Sequence, residues 1–488
     1  MLYLIKLFPE ITIKSRPVRR RFIRQLRKNI REVLRELDDE VKVTGDWDVL
    51  EVETSKKAEN ENSAITNRLK STPGIAAILS VDRHPLPDMD GIFQLTRNFY
   101  GELLKSKTFA VRCKRTGKHP FRSVDVEEYV GGGLKRHCDT AGVKLKNPDV
   151  SVLLEVRDNF LYIVKQQIPG LGGFPLGCQD AVLSLISGGF DSSVSSYLCI
   201  KRGLQTHYCF FNLGGKAHEL AVKEVALFLW MKYHSSHRVK FISIPFEGVV
   251  EEILNKIADS QMGVVLKRMM LRAGDAMIKT MHIDALVTGE SVAQVSSQTL
   301  LNLSVIDSVI DTLVLRPLCV SDKQEIIDLA REIGTEDFSK NIPEYCAVIS
   351  KNPTTKAKPE KIENEEKLFD FNVLEDAIKS ARHQLITEVV EDFNNISTEV
   401  KITGEVTRGD VVIDIRHPND LEISPFSLPE AEVLNIPFYK LRSDFSELDK
   451  NTQYLLYCEK GMMSRLHAAH LQDAGYSNIG VLELKNSN

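Results

Sequence analysis

The sequence predicts a multidomain α/β protein: two small α+β units in its first third, a doubly wound parallel sheet at its centre, and a small α/β unit at its end. Three observations predict this. The 488 residues are enough for about three domains. Through the middle of the chain, strand-like runs alternate with helical stretches, the pattern of a parallel sheet with crossover helices. Within that region Ala181–Gly203 (AVLSLISGGFDSSVSSYLCIKRG) reads as an apolar strand, a glycine turn and a helix. The expected units are 1–60, 61–168, 176–350, a linker with helices over 351–403, and 404–488.

Composition narrows the class. The content of 43% hydrophobic and 27% charged residues is that of a soluble globular protein. No apolar run approaches the length of a membrane span and the start is unlike a signal peptide, so a cytoplasmic location without a membrane partner is expected. Eight cysteines (113, 138, 178, 199, 209, 319, 346, 458) form no C-x-x-C pair, which argues against structural zinc and a disulfide framework. No set of protein metal ligands is assigned. The net charge of −4 hides a strong asymmetry.

Residues 1–35 hold eleven Lys and Arg against two Glu. Met1–Phe8 reads as a strand. From Pro17, Val18, Phe22, Ile23, Leu26, Ile30, Val33 and Leu34 recur at helical spacing, leaving a cationic face that includes Arg20, Arg24 and Arg27. An excess of one sign on one face suggests contact with a phosphate backbone. A second basic cluster, Arg112, Lys114, Arg115, Lys118, His119 and Arg122, spans a strand end and a loop with Gly117, Pro120 and Phe121; a helix then opens near Asp125. This strand, basic loop and helix resemble the THUMP domain, an RNA-binding module of tRNA-modifying enzymes. The preceding stretch resembles the ferredoxin-like domain that commonly sits before it.

Gly170–Gly177 reads as a hinge into the central unit. There, strand, glycine turn and helix aim backbone N–H groups and a helix N-terminus at an anion. Gly188 and Gly189 permit close backbone approach, and the Ser187 and Ser192 hydroxyls add donors. The pattern G-x-x-x-x-G-K-[ST] is absent. Instead Ser187–Ser192 resembles the S-G-G-x-D-S pyrophosphate loop of ATP pyrophosphatases, which split ATP into AMP and pyrophosphate. Downstream, Gly289 ends the strand-like DALVTG and Gln298 lies in the polar stretch beyond it. Asp322 reads as an N-cap with Glu325 three residues on, which puts Lys323 in the first turn of a helix. A cation there opposes the helix dipole by about a few tenths of a kcal/mol, a local cost that a bound phosphate would reverse.

Lys351–Phe371 is charged, contains proline and has few apolar residues, so it reads as a linker or edge segment. In the last unit DVVIDIR (410–416) and YLLYC (454–458) read as strands. Cys458 is followed at once by Glu459–Ser464 and a helical stretch. A thiol between a strand end and a helix N-terminus has a depressed pKa and holds a reactive thiolate. This resembles the rhodanese fold, whose cysteine carries sulfane sulfur as a persulfide. Many rhodanese loops hold an arginine; here Met462 and Met463 occupy the loop and Arg465 lies just beyond.

The three resemblances, in this order along the whole chain, resemble the tRNA 4-thiouridine synthase family. That resemblance implies an N-terminal ferredoxin-like and THUMP (α+β) region, a central doubly wound ATP-pyrophosphatase domain and a C-terminal rhodanese-like α/β domain. It implies ATP and magnesium at Ser187–Ser192 with Asp191, phosphate contact by Lys323, and nucleotide contacts at Leu185, Ile186, Lys267, Gly289 and Gln298. Cys458 would carry the persulfide, and Cys346 would release sulfur by forming a disulfide with it, so a reductant is needed. The implied partners are tRNA, modified at uridine 8, a cysteine desulfurase as sulfur donor and a sulfur carrier protein of thiamin thiazole synthesis. Two other classes stay open on the residues: another tRNA-directed ATP pyrophosphatase, such as an amide-forming ligase, and a non-catalytic RNA-binding sulfur carrier.

Overall fold

A computed structural model of the chain describes residues 1–45, 47–213, 215–340, 342, 350, 352–390, 400–407, 409–416, 421, 425–429, 431–437, 441, 444–458, 464, 467–468, 471–472 and 475–484. It divides into two compact units, Met1–Pro175 and Leu176–Asn488, each taken by itself below.

The first unit runs β1 (Leu2–Leu7), α1 (Pro9–Thr12), α2 (Arg16–Leu34), β2 (Lys42–Thr44), β3 (Val49–Glu53), α3 (Asn62–Lys70), β4 (Ile75–Pro85), α4 (Met89–Tyr100), β5 (Thr108–Thr116), α5 (Ser123–His137), β6 (Gly142–Val143), β7 (Val150–Arg157) and β8 (Phe160–Pro169). All eight strands form one sheet, ordered β2-β3-β1-β4-β8-β7-β5-β6. The long β4 pairs antiparallel with both β1 and β8, so it joins the ferredoxin-like and THUMP-like halves into a single sheet. Helix α2 buries Phe22, Ile23, Leu26, Ile30 and Leu34, the stripe its periodicity predicts. One of its cations is structural: Arg19 is buried, lies 4.0 Å over the Trp47 ring and donates to the carbonyls of Trp47 and Thr12.

The second unit opens with β9 (Ala181–Leu185), α6 (Phe190–Lys201), β10 (Gln205–Asn212), α7 (Gly215–Leu229), β11 (Lys240–Pro245), α8 (Glu247–Lys256), α9 (Met262–Met281), β12 (Ala285–Val287), α10 (Leu300–Asp307), β13 (Leu313–Leu315), α11 (Lys323–Ile333) and α12 (Glu336–Lys340). Next come α13 (Pro359–Glu366), α14 (Phe371–Lys379) and β14 (Arg382–Leu385). The sheet order is β13-β12-β9-β10-β11-β14, parallel except for β14, which runs antiparallel to β11. From β9 the chain moves out through β10 and β11, then returns to β12 and β13 on the other side. The topological switch point, where open α/β sheets bind ligands, therefore lies between β9 and β12.

The segment expected as a linker does more than connect. Ile362, Phe369 and Leu374 are buried in the same core as Leu183, Ile242 and Val265. Each fully buried side chain of this kind contributes about 1.5–3 kcal/mol. The Glu366 carboxylate accepts from both Arg268 and Arg272 of α9, at 2.7–3.0 Å. These contacts hold a charged, proline-bearing sequence against the central domain, to which β14 adds the sixth strand.

The last part contains β15 (Lys401–Thr403), β16 (Val411–Asp414), β17 (Glu432–Asn435), β18 (Tyr454–Tyr457) and β19 (Ile479–Leu482). These form a fully parallel sheet, ordered β15-β19-β18-β16-β17, around Val412, Leu455 and Leu482. Cys458 follows β18 directly.

Candidate active site

At the carboxyl end of β9, Ser187–Gly189 forms the turn into α6. Gly188 takes φ +81°, and a Cβ there would stand 2.5 Å from Ile342. The Ser192 hydroxyl accepts from the Ser187 N–H (3.1 Å) and donates to the Gly189 carbonyl (3.2 Å), which holds the turn closed. From the far side, the Ser339 hydroxyl donates to the Gly188 carbonyl (2.9 Å). Gly189 is the N-cap of α6 and supplies no side-chain acceptor, so the first-turn N–H groups face outward at a helix N-terminus. Gly289 makes this approach possible. A Cβ on it would lie 2.6 Å from the Asp191 carbonyl carbon and 2.7 Å from the Ser192 nitrogen.

Asp191, in the first turn of α6, is held at both oxygens. Lys323 Nζ donates to Oδ1 at 2.8 Å, and Gln294 Nε2 donates to Oδ2 at 2.8 Å. The expected capping box around Lys323 is present: Asp322 Oδ1 accepts from the Glu325 N–H, and Glu325 Oε2 accepts from the Asp322 N–H. The cation that the α11 dipole disfavours is thus directed onto the carboxylate of the loop.

Leu185, Ile186, Ser187, Gly189, Asp191, Ser192, Lys267, Gly289 and Gln298 line one cavity of about 490 Å³, whose walls include Phe211, Leu266 and Met270. The lining combines these apolar walls with the polar groups of the loop, Lys267 and Gln298, a usual mixture in small-ligand sites. Lys267 stands 3.5 Å from Glu290, a buried carboxylate that also accepts from Arg316 Nε (2.9 Å) and the Thr288 hydroxyl (3.0 Å). Arg316 is fixed in turn by Asp307. Burial alone would raise the Glu290 carboxyl, but the charges of Lys267 and Arg316 outweigh it and hold the pKa below its ordinary value. His218 of α7 also lines the cavity, edge-on to Phe210 at 4.9 Å. Burial lowers its pKa against an opposing hydrogen bond to the Ser187 backbone, so a neutral imidazole is present at pH 7.

Sequence reasoning did not single out Gln294, His218 or Arg316. Nothing local marks the first two. Glu290 carried a weak signal, a carboxylate placed directly after an apolar strand.

Cys458 is buried at the end of β18, and its Sγ accepts from the Ser464 N–H at 3.3 Å, with the Ser464 hydroxyl at 3.4 Å. Cys346 lies outside the described residues, as do 459–463 and 465. Cys113, Cys199 and Cys209 are buried apolar-site thiols; burial pushes the first two up to about 12.

In the first unit Arg20 and Arg24 are exposed on α2, and Arg27 is half-buried. Lys114 and Lys118 are exposed as well. The others have structural partners: Arg112 donates to the Leu145 carbonyl, and Arg115 donates to the Gly117 carbonyl with its Nη1 3.2 Å from His119 Nδ1. His119 also meets the Asp158 carbonyl and stacks on Phe121. Arg115 and His119 therefore shape the basic loop whose tip carries Lys118. Among the described residues no helix is long and apolar enough to cross a membrane, and no group of three or more His, Cys, Asp or Glu is placed to hold a metal ion.

Comparison with known proteins finds four family matches along the chain. Residues 2–78 match the ThiI ferredoxin-like domain, 87–164 the THUMP domain, 177–371 the thiamine biosynthesis protein (ThiI) family and 401–484 the rhodanese-like domain. The chain is similar to a 4-thiouridine synthetase solved with RNA and bound ATP, at 25% identity and a TM-score of 0.69 over 79% of this chain and 99% of that one. A protein of Pyrococcus horikoshii shares the fold, at 19% identity and a TM-score of 0.52 over 68% of this chain and all of that one. This chain is 56% identical to a tRNA sulfurtransferase of Pseudomonas aeruginosa and 54% identical to that of Azotobacter vinelandii, in each case over 99% of both chains. With such identity sustained from end to end, the chain belongs to the tRNA sulfurtransferase family.

Proposed function

We propose that this chain is an ATP-dependent tRNA sulfurtransferase that forms 4-thiouridine, at uridine 8 of tRNA. The observation that carries the reading is the convergence of the SGGFDS turn, Asp191 and Lys267 on one cavity at the switch point of the sheet, with Lys323 paired to Asp191. Family membership over the whole chain supports it.

Uridine is a poor electrophile at C4 because its oxygen leaves badly. Attack of that oxygen on the α-phosphorus of ATP breaks the bond to the β-phosphate, and AMP on O4 becomes a good leaving group. The α6 N-terminus, Lys323 and Lys267 stabilise the charge that develops on pyrophosphate. A magnesium ion would fit here, since this cation is commonly held by one or two carboxylates together with substrate phosphates. Asp191 would hold it, and it would supply further charge neutralisation to the leaving pyrophosphate.

The terminal sulfur of a Cys458 persulfide then attacks C4, and AMP departs. The Cys346 thiolate attacks the inner sulfur, the persulfide bond breaks, sulfur stays on the base, and a Cys346–Cys458 disulfide forms. An external dithiol reduces that disulfide for the next turnover. A cysteine desulfurase would load Cys458, and the same persulfide would serve a sulfur carrier of thiamin thiazole synthesis.

Mass spectrometry of tRNA nucleosides from a strain lacking the protein tests the reading. 4-Thiouridine should vanish and return with the wild-type gene; its persistence would overturn the assignment. For the RNA surface, Lys114→Ala with Lys118→Ala should lower the slope of log affinity against log salt by about one for each phosphate that no longer meets a cation.

A further inference from the structure

The turn after β12 contains a local strain that the fold must hold in place. Ala293 takes φ +65°, the left-handed region that a residue with a Cβ occupies at a cost. Its N–H donates to the Gln298 carbonyl at 3.0 Å, and the next N–H, of Gln294, donates to the Ser291 carbonyl at 3.4 Å. The Ser291 hydroxyl in turn donates to the Ser321 carbonyl at 2.7 Å, so the turn is anchored to the stretch just before Lys323. The outcome of this local cost is the direction of one side chain. Gln294 lines the cavity and donates to the Asp191 oxygen that Lys323 leaves open.

We infer that Gln294 is a positioning residue for Asp191: it fixes the carboxylate so that one lone pair of each oxygen is engaged and the others face the phosphate end of the cavity. An amide suits this task because it donates a hydrogen bond without adding charge. A second lysine would neutralise the carboxylate that has to meet a magnesium–phosphate group, whereas a glutamate would repel it. The inference rests on the ATP reading above.

The test is magnesium-dependent ATP binding by the full-length protein, followed by titration calorimetry with purified ATP and magnesium chloride, beside the melting temperature of the protein alone. Gln294→Ala should raise the magnesium concentration for half-maximal binding about ten-fold, the usual scale for losing an outer-shell partner of a metal-binding carboxylate. ATP binding without magnesium should change by less than that factor. Gln294→Glu keeps size and shape but replaces the donor by a like charge, so its shift should be larger still, with the melting temperature held within a few degrees. A packing role would reverse that order, because the isosteric glutamate would behave as wild type. Wild-type magnesium dependence in Gln294→Glu overturns the inference, even if Gln294→Ala fails to fold. Failure of the ATP reading is distinct, because then the wild-type protein itself binds no ATP.

Discussion

The two candidate chemical centres of the second unit share one backbone device and differ in how it is completed. Both follow the carboxyl end of a parallel strand, β9 in one case and β18 in the other. At Cys458 a donor comes from nearby in sequence: Ser464, six residues on, directs its N–H at the thiol. At Asp191 the partners come from 103 and 132 residues away, through Gln294 and Lys323. A cysteine centre needs a positioned thiol and nearby N–H donors, and a short loop can supply both. A phosphate-transfer centre has to place several charges around an extended ligand, which no single loop can reach.

The largest expected effects separate the two centres. Cys458→Ala should lose both sulfur loading and tRNA thiolation while still binding ATP. Asp191→Ala should also lose thiolation, but should still load labelled sulfur on Cys458 while releasing no pyrophosphate with tRNA. Loading of radiolabelled sulfur on the protein and release of pyrophosphate from ATP with tRNA measure the pair, and loss of both in either variant would break the separation.

Next in size is Glu290→Gln. It leaves Lys267 and Arg316 facing a neutral group in a buried setting and should cost about 3 kcal/mol at pH 7, read by urea denaturation. The sign with pH follows from the depressed carboxyl. Its contribution is present above the ordinary value of 4.5 and is lost as pH falls through the lower folded value. The wild-type protein should therefore lose stability below about pH 4.5, and the variant should show a flatter acid limb. Equal slopes would mean that the buried carboxylate is not what links the two cations.

Gly289→Ala should come third. Its methyl group would collide with the Asp191 backbone, and overpacking of this kind costs about 1–3 kcal/mol. Because the collision is at the first turn of α6, ATP affinity should fall more than sulfur loading at Cys458. Equal losses at both centres would show that the damage is global.

The smallest effect is expected away from both. His234 is fully buried in the π-helical turn Trp230–His234, and neither ring nitrogen has a hydrogen-bond partner among the described residues. Burial pushes its pKa well down, so it is neutral in the fold. His234→Leu should be neutral to stabilising by about 1 kcal/mol, with both centres unaffected, because it removes unsatisfied polar atoms. A clear drop in melting temperature would indicate that those nitrogens do have partners.

The difference between local and distant completion also explains what could be read in advance. Ser187–Ser192 is legible because strand, turn and helix are consecutive in the chain, and Cys458 because it directly follows an apolar strand. Lys323 is legible for a different reason: a cation in the first turn of α11 is a local misfit. Gln294 breaks no local rule, and its φ-strained neighbour is an ordinary alanine in the sequence. His218 likewise sits on a helix with no sign that its ring reaches the Ser187 backbone. Among the basic residues, composition alone could not separate Arg19, which holds Trp47, from exposed Arg20.

The order of domains, the parallel class of the central sheet and the identity of the loop groups were determined by the sequence alone. Each depends on periodicity or on residue types within a few positions, where the peptide backbone transmits the constraint directly. Only the tertiary structure decided that β4 unites two halves in one sheet, that 359–385 closes the central domain, and that Asp191 is gripped from two sides. Those outcomes depend on buried apolar area and charge pairing between segments about a hundred residues apart, and such pairings leave no periodic trace in either segment.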